Sequence, residues 1–240
     1  MYKLMTKIFV QTMFLTFCTM NLFSQSFEGT LRYKINVETL DDYLSEEIGD
    51  IEDMIEKEDT ITFLYSKRGD YVSVKRNEDN INWDVYINKD KVLYSLSDDS
   101  EIITALDVGI DLEEKLFGIK PSIKLLEKKH KYEEFECNIV EVEWKTGIYR
   151  YFYDSLYFKV DDPDIYKGYN YDQWYNYLKI SKSLPVIIEK ESGGFLKVTY
   201  SLIQYSDKKF NDELLTLPKM KEVEEMKNFY PNKRIFYMDE

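Results

Sequence analysis

Two side chains in this sequence could form a nucleophile and a base, Cys137 and His130. His130 is the only histidine in the 240 residues, so a serine triad and a metal site built on several histidines are both excluded. Cys137 alternates in phase with Phe135 and Ile139, whereas His130 lies in the charged connector EKKHKYEE. Because a reactive thiol needs a partly exposed, electropositive setting, the sequence predicts a buried structural cysteine.

Carboxylates are abundant and could do acid–base work. A pair such as Asp98–Asp99 or Glu141–Glu143 would need one carboxyl kept protonated by burial beside another that stays ionised. The solvent-exposed face of a strand would also explain why these carboxylates are present. We therefore expect no enzymatic activity and no cofactor, although a hydrolase that uses only carboxylates stays compatible with the sequence.

One cluster of oxygen ligands suggests calcium. It consists of Asp161, Asp162 and Asp164, with Asn170 and Asp172 downstream. Hard oxygen ligands on a loop suit calcium, but the one-three-five spacing and the terminal glutamate of a calcium loop are missing. A polar turn before a helix is the favoured interpretation, and we expect no metal.

Residues 148–178, IYRYFYDSLYFKVDDPDIYKGYNYDQWYNYL, contain fourteen Tyr, Phe, Trp or Leu residues. Read as a strand, residues 148–158 place Tyr149, Tyr151, Tyr153 and Tyr157 on one side and Ile148, Phe152, Leu156 and Phe158 on the other. Two interpretations stay open. The tyrosines form a solvated ladder of cross-strand pairs, or they line a concave cavity together with Tyr166, Tyr169 and Trp174, as amphipathic rings do in ligand sites.

The elements that must position these residues are mostly strands. Period-two alternation begins in FEGTLRYKINV and recurs in TITFLY, YVSVKR, INWDVYI, KVLYSL, EFECNIVEVEW, IYRYFYDSLYF, LPVIIEK and FLKVTYSLIQY. This pattern predicts a mainly β protein with an antiparallel meander.

Helical spacing is rarer. In residues 39–57, the apolar residues Leu40, Tyr43, Leu44, Ile48, Ile51, Met54 and Ile55 recur every three or four positions after a candidate N-cap at Thr39. Shorter helices are predicted at Leu112–Phe117, stopped by Gly118, at 122–129 and at 171–179. The tail at 220–240 is predicted to be weakly ordered, with a weak helix or disorder at 220–228.

The N-terminal residues have the order of a secretory signal peptide: Lys3 and Lys7, a mostly apolar run over 8–23, then small or polar residues. Cleavage after Ser24 or Ser26 would leave a single β-rich domain at 26–240 with no transmembrane segment. The processed chain would carry a net charge of −15, which repels nucleic acid and anionic membranes. Cys137 would be its only cysteine, so an internal disulfide is excluded.

Four pieces of the sequence carry a resemblance to a known family: FEGTLRYKI, YINKDKVLYSL, EFECNIVEVEW, and SLPVIIEK followed by a strand and LLTLP. In this order they resemble the GLPGLI-type exported envelope proteins of Bacteroidota. Those proteins are similar to the lipoprotein-localisation carriers, and this resemblance implies a curved antiparallel sheet, or unclosed barrel, with a few helices covering its concave side. Residues 183–188, SLPVII, keep the Leu-Pro pair and the last Ile of the name-giving hexapeptide, and the helix at 39–57 resembles an insertion.

The sequence thus predicts a non-catalytic envelope protein that holds a hydrophobic or amphipathic ligand, or a lipidated partner, between sheet and helices. The candidate ligand-binding residues are Tyr149, Tyr151, Tyr153, Tyr166, Tyr169, Trp174, Leu44 and Ile51. The alternative is a cell-surface interaction module that binds protein or glycan through exposed aromatic residues.

The order of residues 1–26 predicts export and cleavage. The intact mass of protein recovered from the periplasm or the envelope should correspond to a chain that begins at Gln25 or Phe27. Recovery of the full-length chain from the cytosol would contradict this prediction.

Overall fold

A computed structural model describes residues 26–40, 60–76 and 81–239. The predicted signal peptide at 1–25 lies outside these residues. So does most of the predicted helix at 39–57, including Leu44 and Ile51. Within the described ranges, no helix is both long and apolar enough to cross a bilayer.

Thirteen strands of the described residues form one antiparallel sheet. The first six are β1 (Gly29–Thr39), β2 (Thr60–Tyr65), β3 (Tyr71–Arg76), β4 (Ile81–Ile87), β5 (Val92–Ser97) and β6 (Ser100–Asp107). The others are β7 (Ser122–Tyr132), β8 (Phe135–Glu143), β9 (Gly147–Tyr153), β10 (Ile187–Ser192), β11 (Leu196–Ser206), β12 (Met220–Glu222) and β13 (Lys233–Met238). Every strand that the alternation predicts is present.

The sheet order is β12-β13-β6-β5-β4-β3-β2-β1-β11-β10-β9-β8-β7. Strand β1 pairs with both β2 and β11, and it thereby joins two meanders. Leu31 and Tyr33 of β1 are buried while Arg32 and Lys34 are exposed, so one face of this strand meets the core.

The sheet is curved but not closed. Leu93 on β5 and Tyr151 on β9 belong to strands far apart in the sheet order, yet both line one cavity on the same face. The larger core lies on this concave face, and a smaller core that includes Val72, Val85 and Ile103 lies on the other. The predicted fold class, a mainly β protein with an open curved sheet and few helices, is confirmed.

Two α-helices occur in the described part of the chain: α1 (Leu112–Phe117) and α2 (Trp174–Ser181). The bounds of α1 are as predicted, since Asp111 caps its first turn and Gly118 ends it in the left-handed conformation at φ 68°. Helix α2 begins three residues later than predicted, because Asp172 and Gln173 both adopt left-handed backbone angles.

Two predictions of secondary structure are wrong. Residues 122–129 belong to β7, which pairs with β8 through a bulge after Leu126, rather than to a helix. The tail is not weakly ordered throughout, because β13 pairs with β6 and buries Phe236. In both cases a partner strand supplies the ladder hydrogen bonds, and the spacing of apolar residues within a segment does not show that partner.

Cys137 is fully buried between Phe135 and Ile139 of the same strand face, which confirms its predicted position in the core. His130 is not in a connector, since it lies on β7 directly opposite Cys137. A catalytic pair of Cys137 and His130 is nonetheless disfavoured. Burial, and then the charge of Asp154, raise the pKa of the Cys137 thiol to about 12, which opposes thiolate formation.

The burial of Cys137 predicts slow thiol labelling of the native processed protein and fast labelling after unfolding. The substitution Cys137→Ala should lower the free energy of unfolding by about 1–2 kcal/mol through lost packing. Cys137→Ser should cost more than Cys137→Ala, because it buries a hydroxyl in an apolar setting. Fast native labelling, or a disulfide-linked dimer, would show that the thiol is accessible.

Candidate ligand-binding site

Helix α2 is held on the concave face by stacked rings. Tyr177 stacks on Tyr151 of β9 with ring centroids 4.4 Å apart, and it meets the edge of Tyr153 at 6.2 Å. The Tyr177 hydroxyl donates to the carbonyl oxygen of Ser183 at 2.8 Å. Ring pairs in these geometries contribute about 0.5–1.5 kcal/mol beyond area burial, so this cluster fixes where the helix lies.

The segment before α2 reaches the opposite side of the curved sheet. Its Tyr169 hydroxyl shares a 2.7 Å hydrogen bond with the hydroxyl of Tyr71 on β3, and its ring packs 4.8 Å from that of Tyr86 on β4. At the other end, the Tyr151 hydroxyl donates to the backbone oxygen of Asp172 at 2.8 Å. Residues 169–181 therefore span the concave face from β3 to β9.

A cavity of about 270 Å³ remains between this segment and the sheet. Its walls are mostly aromatic and include Phe63, Tyr71, Tyr151, Tyr169, Trp174 and Tyr200. Leu93 and Ile188 add aliphatic surface. Rings with a few polar groups are the composition of small-molecule sites.

Three charged groups of this cavity are paired with protein groups. Lys190 Nζ lies 2.6 Å from a carboxylate oxygen of Asp172 and 4.9 Å from the centre of the Tyr149 ring. Burial disfavours the charge of Lys190, but Asp172 and the neighbouring tyrosines together outweigh burial, so the pKa of Lys190 is raised above its usual value. The two carboxylate oxygens of Asp84 accept from the hydroxyls of Ser73 at 2.9 Å and Ser95 at 2.6 Å.

The backbone beside the ion pair is strained. Asp172 and Gln173 have φ angles of 54° and 55°, although neither is glycine. Such a conformation costs about 1–3 kcal/mol per residue and persists only where the surroundings hold it. Gln173 is held by a 2.8 Å hydrogen bond to Asp111, and Asp172 is held by Tyr151 and Lys190.

A second cavity of about 290 Å³ lies beside α1 and shares Tyr171 and Asp172 with the first. Its carboxylates are occupied by the protein itself. Asp111 accepts from the indole N–H of Trp144 at 3.0 Å, and Glu113 accepts from the backbone N–H of Lys145 at 2.6 Å.

The candidate calcium ligands form a polar turn. The Asp162 carboxylate accepts from the backbone N–H of Asp164 and caps a short 3-10 helix, Pro163–Tyr166. The Asp164 carboxylate accepts from the Tyr175 hydroxyl at 2.7 Å. Among the described residues, no three metal-ligating side chains come together.

The structure separates the predicted site residues. Tyr151, Tyr169 and Trp174 line the concave cavity, and Tyr149 lines the second cavity. Tyr153 and Tyr166 line neither cavity and are buried in the core, at 5% and 2% exposure. Leu44 and Ile51 lie outside the described residues.

The solvated tyrosine ladder is not observed. Strand β9 ends at Tyr153, and its tyrosine side packs against α2 rather than facing water, with Tyr151 only 1% exposed. Leu156, predicted to share a side with Phe152, is 75% exposed because the alternation stops before it. The rings that pack on this strand follow it in the sequence, in α2.

Several cavity residues escaped prediction, among them Phe63, Tyr71, Lys190 and Tyr200. The alternation of TITFLY and LPVIIEK places Phe63 and Lys190 on definite faces, but it does not say which faces meet. Those faces come together only through the curvature of the sheet.

No family model and no curated protein matches this chain. Two solved structures of PNGF-II, in the C2 and P21 crystal forms, are similar to it at 9% and 8% sequence identity, with TM-scores of 0.30 and 0.31. The matches cover 78% and 79% of this chain, and the chain spans 30% of PNGF-II. A likeness this low supports no conclusion about this protein.

The buried tyrosines predict a fold that fails at high pH. Burial raises the pKa of Tyr33, Tyr65, Tyr71, Tyr86, Tyr151, Tyr166, Tyr169 and Tyr177 above the usual value near 10. The unfolded chain ionises these groups above pH 10 while the folded chain does not, so stability is lost as pH rises. Each fully buried ring should lower the free energy of unfolding by about 1.4 kcal/mol per pH unit in that range.

Tyrosinate absorbance and circular dichroism, recorded together in a pH titration, test this. Ionisation of the buried rings should coincide with cooperative unfolding. The two should still coincide in added salt, which screens the repulsion between the negative charges of the protein. Full ionisation of these rings with the fold intact would contradict it.

Proposed function

We propose that this protein is a non-catalytic binding protein of the cell envelope. It holds a hydrophobic or amphipathic ligand, or the lipidated part of a partner, in the concave cavity. One observation carries the proposal. Stacked tyrosines hold residues 169–181 against the sheet, yet a cavity of about 270 Å³ remains between that segment and the sheet. Small-ligand sites begin at about 300 Å³, so the cavity suits one chain or ring system rather than a whole bilayer lipid.

The state of the reactive side chains supports a binding role over a catalytic one. The raised pKa of Lys190 keeps its amine protonated and therefore not nucleophilic. Both oxygens of Asp84 are engaged by hydroxyl donors. The only cysteine among the described residues is buried, with its pKa raised.

Localisation belongs to the same proposal. The signal-like order of residues 1–26 and the resemblance to exported envelope proteins support export to the periplasm or the outer envelope. A net negative charge fits a partner that is neither nucleic acid nor an anionic membrane surface.

A second candidate is a surface module that binds protein or glycan. One observation favours it: Leu112, Leu116, Phe117 and Ile119 are all exposed at and just after α1, Leu116 to 60%. Apolar side chains exposed together on a soluble domain often mark a contact surface. This surface adjoins the second cavity rather than the concave one.

A ligand of the concave cavity should stabilise the fold by mass action. At a ligand concentration of 100 times Kd, the gain is about 2.7 kcal/mol, which raises Tm by roughly 5–10 °C for a chain of this size. Native mass spectrometry of protein purified from its own envelope should identify the ligand, and thermal shift with that compound measures the effect.

Leu93→Trp tests the location, because it fills the cavity with a larger side chain. It should abolish the ligand-induced shift without lowering Tm in the absence of ligand. Leu64→Trp is the matched control, since Leu64 is equally half-buried but packs on the opposite face. Equal ligand shifts in both variants, or no shift with any amphiphile, would reject the concave site and favour the surface module.

A further inference from the structure

We propose that residues 41–59 of this chain dock on the exposed apolar surface at helix α1. This α1 surface consists of Leu112, Leu116, Phe117 and Ile119. The proposal goes beyond the proposed function and does not depend on a ligand in the concave cavity. It gives the α1 surface an occupant from the chain itself, in place of the external partner that a surface module requires.

The α1 surface is apolar and exposed within the described part of the chain. Three of its residues, Leu112, Leu116 and Phe117, also form part of the wall of the second cavity. The same wall contains the rings of Trp144 and Tyr149, which pack edge to face with centroids 4.7 Å apart. Large apolar side chains exposed together beside a cavity are unfavourable in water and usually have a partner.

The chain leaves the described residues at the rim of this cavity. The backbone N–H of Leu40 donates to the carbonyl oxygen of Phe195 at 2.7 Å, and both side chains are exposed. Phe195 follows the turn in which the backbone N–H of Gly193 donates to the carbonyl oxygen of Thr146 at 2.7 Å. Thr146 and Ser192 line the second cavity together with α1. The segment therefore begins beside the surface that we assign to it.

The segment is long enough to reach α1 and return. It ends at Thr60, which pairs with Lys34 of β1, so both of its ends are held at that strand. Nineteen residues lie between these ends. About ten residues span roughly 30 Å when extended, whereas the space to be crossed is a cavity of about 290 Å³. A tethered segment also has an effective concentration on the order of millimolar, which favours it over an external partner.

The segment has side chains that suit the α1 surface. Its apolar residues recur every three or four positions, a spacing that aligns them on one side of a helix. They are Tyr43, Leu44, Ile48, Ile51, Met54 and Ile55. Because these side chains and the α1 surface are both apolar, contact between them removes both from water.

Charge is compatible with the same contact. Residues 41–59 contain ten Asp or Glu residues and one Lys. Asp111 and Glu113 at α1 are buried and accept hydrogen bonds from protein donors. The exposed lysines at or beside α1 are Lys115, Lys145 and Lys120, the last of which lies 3.6 Å from Glu114. An acidic segment can place carboxylates against these lysines while its apolar side chains contact Leu116 and Phe117.

Photo-crosslinking identifies the occupant of the α1 surface. Phe117 is replaced by p-benzoylphenylalanine in the chain that begins at Phe27, and the purified protein is irradiated and digested. Mass spectrometry should place the crosslink within residues 41–59 of the same chain. The control carries p-benzoylphenylalanine at Leu156, which is also exposed but follows the end of β9 opposite to Gly147. It should give no crosslink to residues 41–59.

Thiol labelling gives an independent readout. Because Cys137 is buried, a Leu116→Cys variant offers one accessible thiol. It should be labelled about tenfold or more slowly than Leu156→Cys, since the thiol reacts only while the segment is away from the surface. Leu44→Ser with Ile51→Ser should remove this protection and leave the labelling of Leu156→Cys and of Cys137 unchanged.

Four results would overturn the proposal. They are crosslinks from Phe117 to any other part of the chain, equal labelling of Leu116→Cys and Leu156→Cys, crosslinks between two chains, and protection that grows with protein concentration. The last two would assign the α1 surface to a second copy. If Leu44→Ser with Ile51→Ser unfolds the protein, Cys137 labels quickly and the crosslink decides alone. The ligand-induced thermal shift is measured separately, so these failures leave the proposed function standing.

Discussion

The stacking of Tyr177 on Tyr151 is the contact on which the arrangement of the concave face depends. A sheet of thirteen strands that curves without closing must cover its inner face, and α2 is the longer of the two helices in the described residues that can do so. The ring stack places α2 over β9, while the hydrogen bond between Tyr169 and Tyr71 carries the preceding segment across to β3. The cavity is the space that these two attachments leave between them.

The two faces of the same strands have different roles because their charges are arranged differently. On the concave face of β10, Lys190 is directed at Asp172 within an aromatic wall, where low dielectric strengthens the pair. On the opposite face, Arg150 lies 2.8 Å from Glu141 and 2.6 Å from Glu191. Glu141 is itself buried at 8% exposure, so Arg150 neutralises a carboxylate that would otherwise be buried without a partner.

The sequence pattern correctly predicts those features that neighbouring residues determine by themselves. The N-cap at Asp111 and the stop at Gly118 define α1 within one turn, and the phase of Cys137 places it in the core. The prediction of a helix at residues 122–129 is wrong because β7 acquires its conformation by pairing with β8. Strand alternation does not decide what covers the tyrosine side of β9, because the covering element is α2 and that contact depends on the curvature of the sheet.

The most direct measurement uses Trp174 as the reporter of the cavity. The processed protein with Trp83→Phe and Trp144→Phe retains only this tryptophan, and a matched variant with Trp144→Phe and Trp174→Phe retains only Trp83. A decyl amphiphile brominated on its chain should quench Trp174 fluorescence saturably, at the concentration that stabilises the fold, and leave Trp83 unquenched. Equal quenching of both reporters, or none of Trp174, would contradict a ligand site between the sheet and α2.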